Sequence, residues 1–120
     1  MSEQDRRNTV RVRLDQPVVV YRRHGSDVNA RCDNLSIGGT SLLCETTLYQ
    51  GEPVLVEMRF LQAEDPPPRL PARVRYVVAL THPSGWTRLG LQFDRLSVDQ
   101  RDLLERFLNE QPVRRVRLRA

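Results

Sequence analysis

The stretch "PARVRYVV", residues 71–78, sets Arg73 and Arg75 against Val74 and Tyr76 in strict alternation. On an extended backbone successive side chains point to opposite faces, so this pattern describes a strand with one wet face and one buried face. Such one-sided strands belong to antiparallel sheets. Working outward, apolar and β-branched stretches of the same kind recur near 10–14, 17–23, 27–36, 40–45, 53–60, 70–79 and 86–94. Turn-forming groups separate them: "HGS" at 24–26, "QGEP" at 50–53, "EDPPP" at 64–68 and "HPSG" at 82–85. Short connections favour antiparallel neighbours, and the strands suffice for a small barrel or a sandwich.

The last element has a different period. In "SVDQRDLLERFLNE", 97–110, Ser97 and Gln100 have capping-box spacing, while Leu103, Leu104, Phe107 and Leu108 form a stripe at helical spacing. This predicts a helix packed on the strands by its apolar face, with Pro112 soon after its end.

At 120 residues, 39% hydrophobic and 28% charged, the chain reads as one globular domain. Its apolar runs, such as "VVV" at 18–20, are too short to cross a bilayer, and "MSEQDRRN" has no apolar leader, so a cytoplasmic location without membrane insertion is expected. Cys32 and Cys44 are then expected to stay thiols. The net charge is +4 and all 19 basic residues are arginine. Genome bias explains that as readily as function does, yet a guanidinium fork is the better tool for a phosphate or a guanine edge. Arginines concentrate in "RRNTVRVR" at 6–13 and "RRVRLRA" at 114–120.

Enzymatic chemistry finds little footing. The only histidines, His24 and His82, sit in predicted turns, and no nucleophile-elbow pattern surrounds Ser36. Eleven residues separate Cys32 from Cys44, with no paired C-x-x-C or H-x-x-H, so no metal or cofactor is expected. What turn chemistry and core packing leave unexplained is "DNLSIGGT", 33–40, and the arginines ahead of it. Asn34 and Ser36, two apart, would share one side of a strand. Gly38 and Gly39 would give access to positive φ and let another molecule approach bare backbone.

R-x-x-x-R, formed by Arg7 and Arg11, followed by N-x-S-x-x-G, formed by Asn34, Ser36 and Gly39, resembles the paired signature of the PilZ domain family. The resemblance runs over about residues 5–110, with "VRVRL", "RVRYV", "LGLQF" and "LLERFL" following in that family's order. It implies an all-β fold with one helix: a six-stranded antiparallel β-barrel, a C-terminal α-helix packed on it, and cyclic di-GMP as ligand. Residues 1–11 would be a flexible arm, 12–110 the barrel and helix, and 111–120 an arginine-rich tail. By the same resemblance, Arg7 and Arg11 would offer bidentate donors to phosphate and to the O6/N7 edge of guanine. Asn34 and Ser36 would add short hydrogen bonds, and Gly38 and Gly39 would leave room for the rings. Arg6 would accompany a stacked pair of ligands, and Tyr76 would stack on guanine or, by parity with Val74, enter the core. Asn8 stands where an arginine is common and Asn34 where an aspartate is frequent, each giving up one contact.

The expected role is a monomeric receptor whose arm orders over the ligand and alters docking to a downstream bacterial effector. One alternative is a nucleic-acid-binding small barrel, disfavoured because seven aromatic residues, several needed by the core, make a poor stacking platform. The other is a ligand-free PilZ-like adaptor, disfavoured because both motifs are complete.

Overall fold

The computed structural model describes residues 10–62 and 65–111, together with the backbone of 115–116. The stretches expected at 10–14 and 17–23 are a single strand, β1 (Arg11–Arg22). Asp15, Gln16 and Pro17 resemble a turn, but an irregularity absorbs them: the pairing of β1 with β2 (Val28–Leu35) shifts register between Arg13 and Gln16. Proline is tolerated there because β4 (Pro53–Glu57) begins to pair with β1 only at Val19, beyond Pro17. The remaining elements are β3 (Gly39–Cys44), β5 (Arg69–Ala79), β6 (Thr87–Phe93), the helix α1 (Val98–Asn109) and the two-residue β7 (Arg115–Val116). The strand expected at 53–60 stops at Glu57, and a 3₁₀ turn, Arg59–Leu61, replaces its end.

Antiparallel pairings run β1–β2–β3–β6–β5–β4 and return to β1, closing a six-stranded barrel with one C-terminal helix, as expected. Closure leaves the barrel strands without open edges. β7 is an addition: Val116 pairs with Arg11 and Arg115 with Val12, so part of the arginine-rich tail lies beside the start of β1.

Alternation builds the interior. Val18 and Val20, Val28, Ala30 and Cys32, Leu42 and Cys44, Val54 and Val56, Leu70, Ala72 and Val74, and Leu89 and Leu91 all point inward and are buried. Each fully buried aliphatic side chain contributes roughly 1.5–3 kcal/mol, and this interior holds the wall rigid. α1 covers one side of it. Leu104 and Leu108 enter the core, and Phe107 meets Phe60 edge-on with ring centroids 5.2 Å apart. The expected capping box is formed: Gln100 N donates to Ser97 Oγ at 3.1 Å and Ser97 N to Gln100 Oε1 at 2.9 Å. Gln100 Nε2 also donates to the Arg69 carbonyl at 3.0 Å, tying the helix start to β5. Both cysteines are free and buried; burial pushes the Cys32 thiol up to about 11 and raises Cys44 as well, which keeps them protonated at neutral pH.

Candidate functional site

Two breaks in the alternation place the candidate residues. The first is in β2. Asn29 and Arg31 face out while Val28, Ala30 and Cys32 face in, but the register against β3 shifts between Cys32 and Asn34. The extra residue leaves Asp33 and Asn34 both half-exposed on the outer surface, and Leu35 returns to the core. A bulge exposes a backbone carbonyl to the interior, and here that carbonyl is satisfied. Thr40 Oγ1 donates to Asn34 O at 2.7 Å, and the Cys32 thiol donates to the same oxygen at 3.4 Å.

On the outside, Arg11 Nη1 donates to Asn34 Oδ1 at 2.8 Å, across 23 residues of chain. Asn34 Nδ2 points the other way, donating to Asp33 Oδ1 at 3.4 Å. Arg88, on β6, donates from Nη1 to Asp33 Oδ2 and, at 3.0 Å, to Ser41 Oγ. A single hydrogen-bonded line therefore crosses four strands, from Arg11 to Arg88.

The second break is in β5. Its register against β6 shifts between Val74 and Tyr76, so Val74 faces Leu91 inside while Tyr76 pairs with Gly90 and stands outside, 46% exposed. Parity with Val74 had allowed a core position for Tyr76; the bulge excludes it. The Tyr76 ring lies over Gly90, where any Cβ would run into it. Tyr76, Gly90, Ser41, Asn34 and Arg13 then form one register row across β5, β6, β3, β2 and β1. At 4.7–4.9 Å between strands, the row is about 19 Å long.

Ser36 is not presented as its spacing from Asn34 suggested. β2 ends at Leu35, the chain turns, and Ser36 is buried at 2% exposure. Its hydroxyl is used within the turn: Gly38 N donates to Oγ at 3.3 Å and Oγ donates to Gly39 O at 3.3 Å, beside a backbone bond from Ser36 N to Gly39 O of 2.8 Å. The two glycines do different things, and neither has the positive φ anticipated for them. A Cβ on Gly38 would meet open space, whereas one on Gly39 would collide with the Leu91 carbonyl of β6. Gly39 thus permits close approach of β3 to β6 rather than opening a space at the surface. Arg6 and Arg7 lie outside the described residues.

The row is rich in cations. Arg11, Arg13 and Arg75 are exposed around it, Arg75 bonding to Gln92 Oε1, and Asp33, beside Asn34, is paired with Arg88. An exposed ring, amide donors and acceptors, and several guanidinium groups on a shallow surface suit a flat, anionic ligand bearing both phosphate and ring acceptors. Gly90 and Arg88 escaped the sequence reading; a glycine inside the apolar "LGLQF" was the available sign of a close approach. A groove of about 710 Å³ over β4, lined by Tyr21, Pro53, Leu55, Pro71, Arg73 and Arg95, contains none of the expected site residues. His24 and His82 are exposed, and among the described residues no three His, Cys, Asp or Glu side chains group as a metal site. No described helix is long and apolar enough to cross a membrane.

Comparison with known proteins bears on this surface. The family model described as "PilZ domain" matches residues 5–110. The comparison with curated proteins returns no match. Among solved structures, the chain is similar to the PilZ domain of YcgR from Escherichia coli with c-di-GMP, at 20% identity and TM-score 0.65, covering 87% of this chain and 89% of that one. It is similar to the K. pneumonia MrkH–c-di-GMP complex at 18% identity and TM-score 0.71, covering 87% of this chain and 51% of that one. The inhibitor of motility MotI from Bacillus subtilis matches at 19% identity and TM-score 0.62, over 88% of this chain; the chain spans 53% of MotI's length.

Proposed function

Because the chain belongs to the PilZ domain family, we propose that it is a receptor for cyclic di-GMP that binds the ligand along the row from Arg13 to Tyr76, with Arg11 reaching the row at Asn34. The observation that carries this reading is the Arg11–Asn34 bond of 2.8 Å, which joins the second arginine of R-x-x-x-R to the first residue of N-x-S-x-x-G on the outer wall. The YcgR PilZ domain and MrkH structures, solved with c-di-GMP, support the choice of ligand.

Cyclic di-GMP carries two phosphates and two guanines. Arg11 exchanges its bond to Asn34 for phosphate oxygens or the O6/N7 edge of guanine, and Asn34 is then free to meet guanine N–H and acceptor groups. Tyr76, flat against Gly90, offers its face to a base at the far end of the row. Ser36, Gly38 and Gly39 shape the turn that borders the site, with Gly38 leaving its surface open. Arg7 supplies the second guanidinium, and Arg6 assists where a stacked pair binds. Hydrogen bonds to charged groups contribute roughly 1.5–3 kcal/mol each, so a few of them, less the cost of ordering the arm, give an affinity of about −8 kcal/mol, near micromolar.

Residues 5–11 close over the bound ligand, and the surface so formed docks a bacterial effector in the cytoplasm; the chain acts as a receptor and not as an enzyme. Calorimetric titration with cyclic di-GMP, with GTP and cyclic GMP as controls, tests the ligand. Its stoichiometry distinguishes one molecule from a stacked pair. Wild type is expected to bind cyclic di-GMP alone, and Arg11→Ala to lose measurable binding while its melting temperature stays within a few degrees, because an exposed bond contributes roughly 1 kcal/mol or less to stability. Equal binding by wild type and Arg11→Ala would refute the site.

A further inference from the structure

We propose that Arg88 is a positioning residue for the ligand face: by holding the Asp33 carboxylate against Ser41 it orients the Asn34 amide and removes an unpaired negative charge from the binding row. The inference rests on the proposed cyclic di-GMP site and deepens it.

Three observations point there. First, Arg88 reaches Asp33 across 55 residues of sequence with the same Nη1 that donates to Ser41, whose residue is 3% exposed. One end of the contact is therefore anchored in the wall rather than at a mobile surface. Second, alternation already places Asp33 outside and the β2 bulge turns Asn34 to the same side, which makes the carboxylate the immediate neighbour of the Asn34 amide on the outer surface. A carboxylate at that place repels a dianion and competes for Arg11 unless it is already neutralised. Third, Asn34 Nδ2 donates to Asp33 Oδ1 while Asn34 Oδ1 accepts from Arg11, so the position of Asp33 decides which way round the amide sits. With the amide reversed, its NH₂ would face the Arg11 guanidinium, two donors against each other.

The bland reading is a half-exposed ion pair with little effect, since the two side chains are 35% and 27% exposed. The two readings differ in what Asp33 does once Arg88 is gone. If Arg88 acts by neutralising and steering Asp33, then making Asp33 uncharged relieves the need for it, because an asparagine oxygen still accepts from Asn34 Nδ2.

The experiment compares wild type, Arg88→Met, and Arg88→Met combined with Asp33→Asn, by calorimetric titration with cyclic di-GMP and by side-chain amide NMR of Asn34 without ligand. Arg88→Met is expected to weaken binding by about tenfold, the double variant to return to within about threefold of wild type, and the ligand-free Asn34 amide resonances to move in Arg88→Met well beyond those of residues on β4. Wild-type affinity in Arg88→Met, or an equal loss in the double variant, overturns the proposal. If wild type itself gives no heat with cyclic di-GMP, the functional reading fails. The Asn34 resonances then decide the positioning role alone: unmoved they overturn it, moved they uphold it.

Discussion

Replacing Gly39 with alanine separates two accounts of that residue. If its lack of a side chain leaves room for a ligand, Gly39→Ala should fold normally and bind poorly. The structure gives the other answer, because the added Cβ would collide with the Leu91 carbonyl oxygen and sit 3.2 Å from Leu91 C and 3.3 Å from Gln92 Cα. All three atoms are backbone of β6, so no side-chain rotation relieves the clash. The strands must separate where Gly39 pairs with Gln92 and Thr40 with Leu91. Overpacking of this kind costs about 1–3 kcal/mol, and weakening about two ladder hydrogen bonds adds about 1 kcal/mol each, for a total of roughly 3–5 kcal/mol. Against a domain stability of roughly 5–15 kcal/mol that is a large loss. With roughly 3–6 °C per kcal/mol for a chain of this size, the melting temperature should fall by about 10–30 °C. Gly38→Ala is the matched control. It meets nothing within 4 Å, so its stability should lie within about 0.5 kcal/mol of wild type. Thermal melts followed by circular dichroism on the three proteins test this, and a Gly39→Ala melting temperature within about 3 °C of wild type would refute the close-approach account.

Two further outcomes follow from buried polar groups. Thr40→Val removes the 2.7 Å donor to Asn34 O beneath the bulge and should cost about 1–3 kcal/mol in urea unfolding; a cost near zero would mean that the Cys32 thiol satisfies that carbonyl alone. Glu52 is poorly exposed; burial by itself would raise its carboxyl, but bonds of 2.7 and 3.1 Å from Arg22 outweigh this and hold it below 4.5. A folded pKa below the unfolded one gives stability that is complete above about pH 4.5 and is lost as pH falls through the folded value, so Glu52→Gln should flatten that acid limb in melts taken from pH 6 to pH 2; an unchanged limb would exclude the pair as its source.

What could be read in advance follows from how local each signal is. The helix was legible because Ser97, Gln100 and the Leu103–Leu108 stripe all lie within a dozen residues and agree with one another. The strands were legible from alternation, except where a single residue of irregularity carried the chain through a turn-like segment at Asp15–Pro17. Ring closure by β1 with β4 depends on pairing Val20 with Val56, a non-local contact that periodicity does not encode. Motif resemblance assigns Arg11 and Asn34 to one ligand, not to each other, and the fold brings the two within hydrogen-bonding distance. Ser36 was read as a surface donor from its two-residue spacing, and it is buried, because the strand that would have carried that spacing ends at Leu35. Arg88 carries no local signal; its meaning arises only when β6 is laid beside β3 and the bulge of β2.

The two bulges explain why this surface exists on a barrel otherwise built by alternation. Without the shift between Cys32 and Asn34, Asn34 would face inward and Leu35 outward, so the wall would present an apolar side chain to Arg11 and bury an amide. Without the shift between Val74 and Tyr76, the phenol would enter a core already filled by Val74, Leu89 and Leu91. Each bulge alone would turn one residue outward. Because Asn34 is paired with Ser41, Ser41 with Gly90, and Gly90 with Tyr76, the two fall in the same register row, with only the small residues Ser41 and Gly90 between them and the Tyr76 ring lying over Gly90. The cost of breaking alternation is met from inside by Thr40 and Cys32 and from outside by Arg88. A site made by departures from periodicity is invisible to a reading that relies on periodicity, which is why Tyr76 was ambiguous in the sequence and is not in the fold.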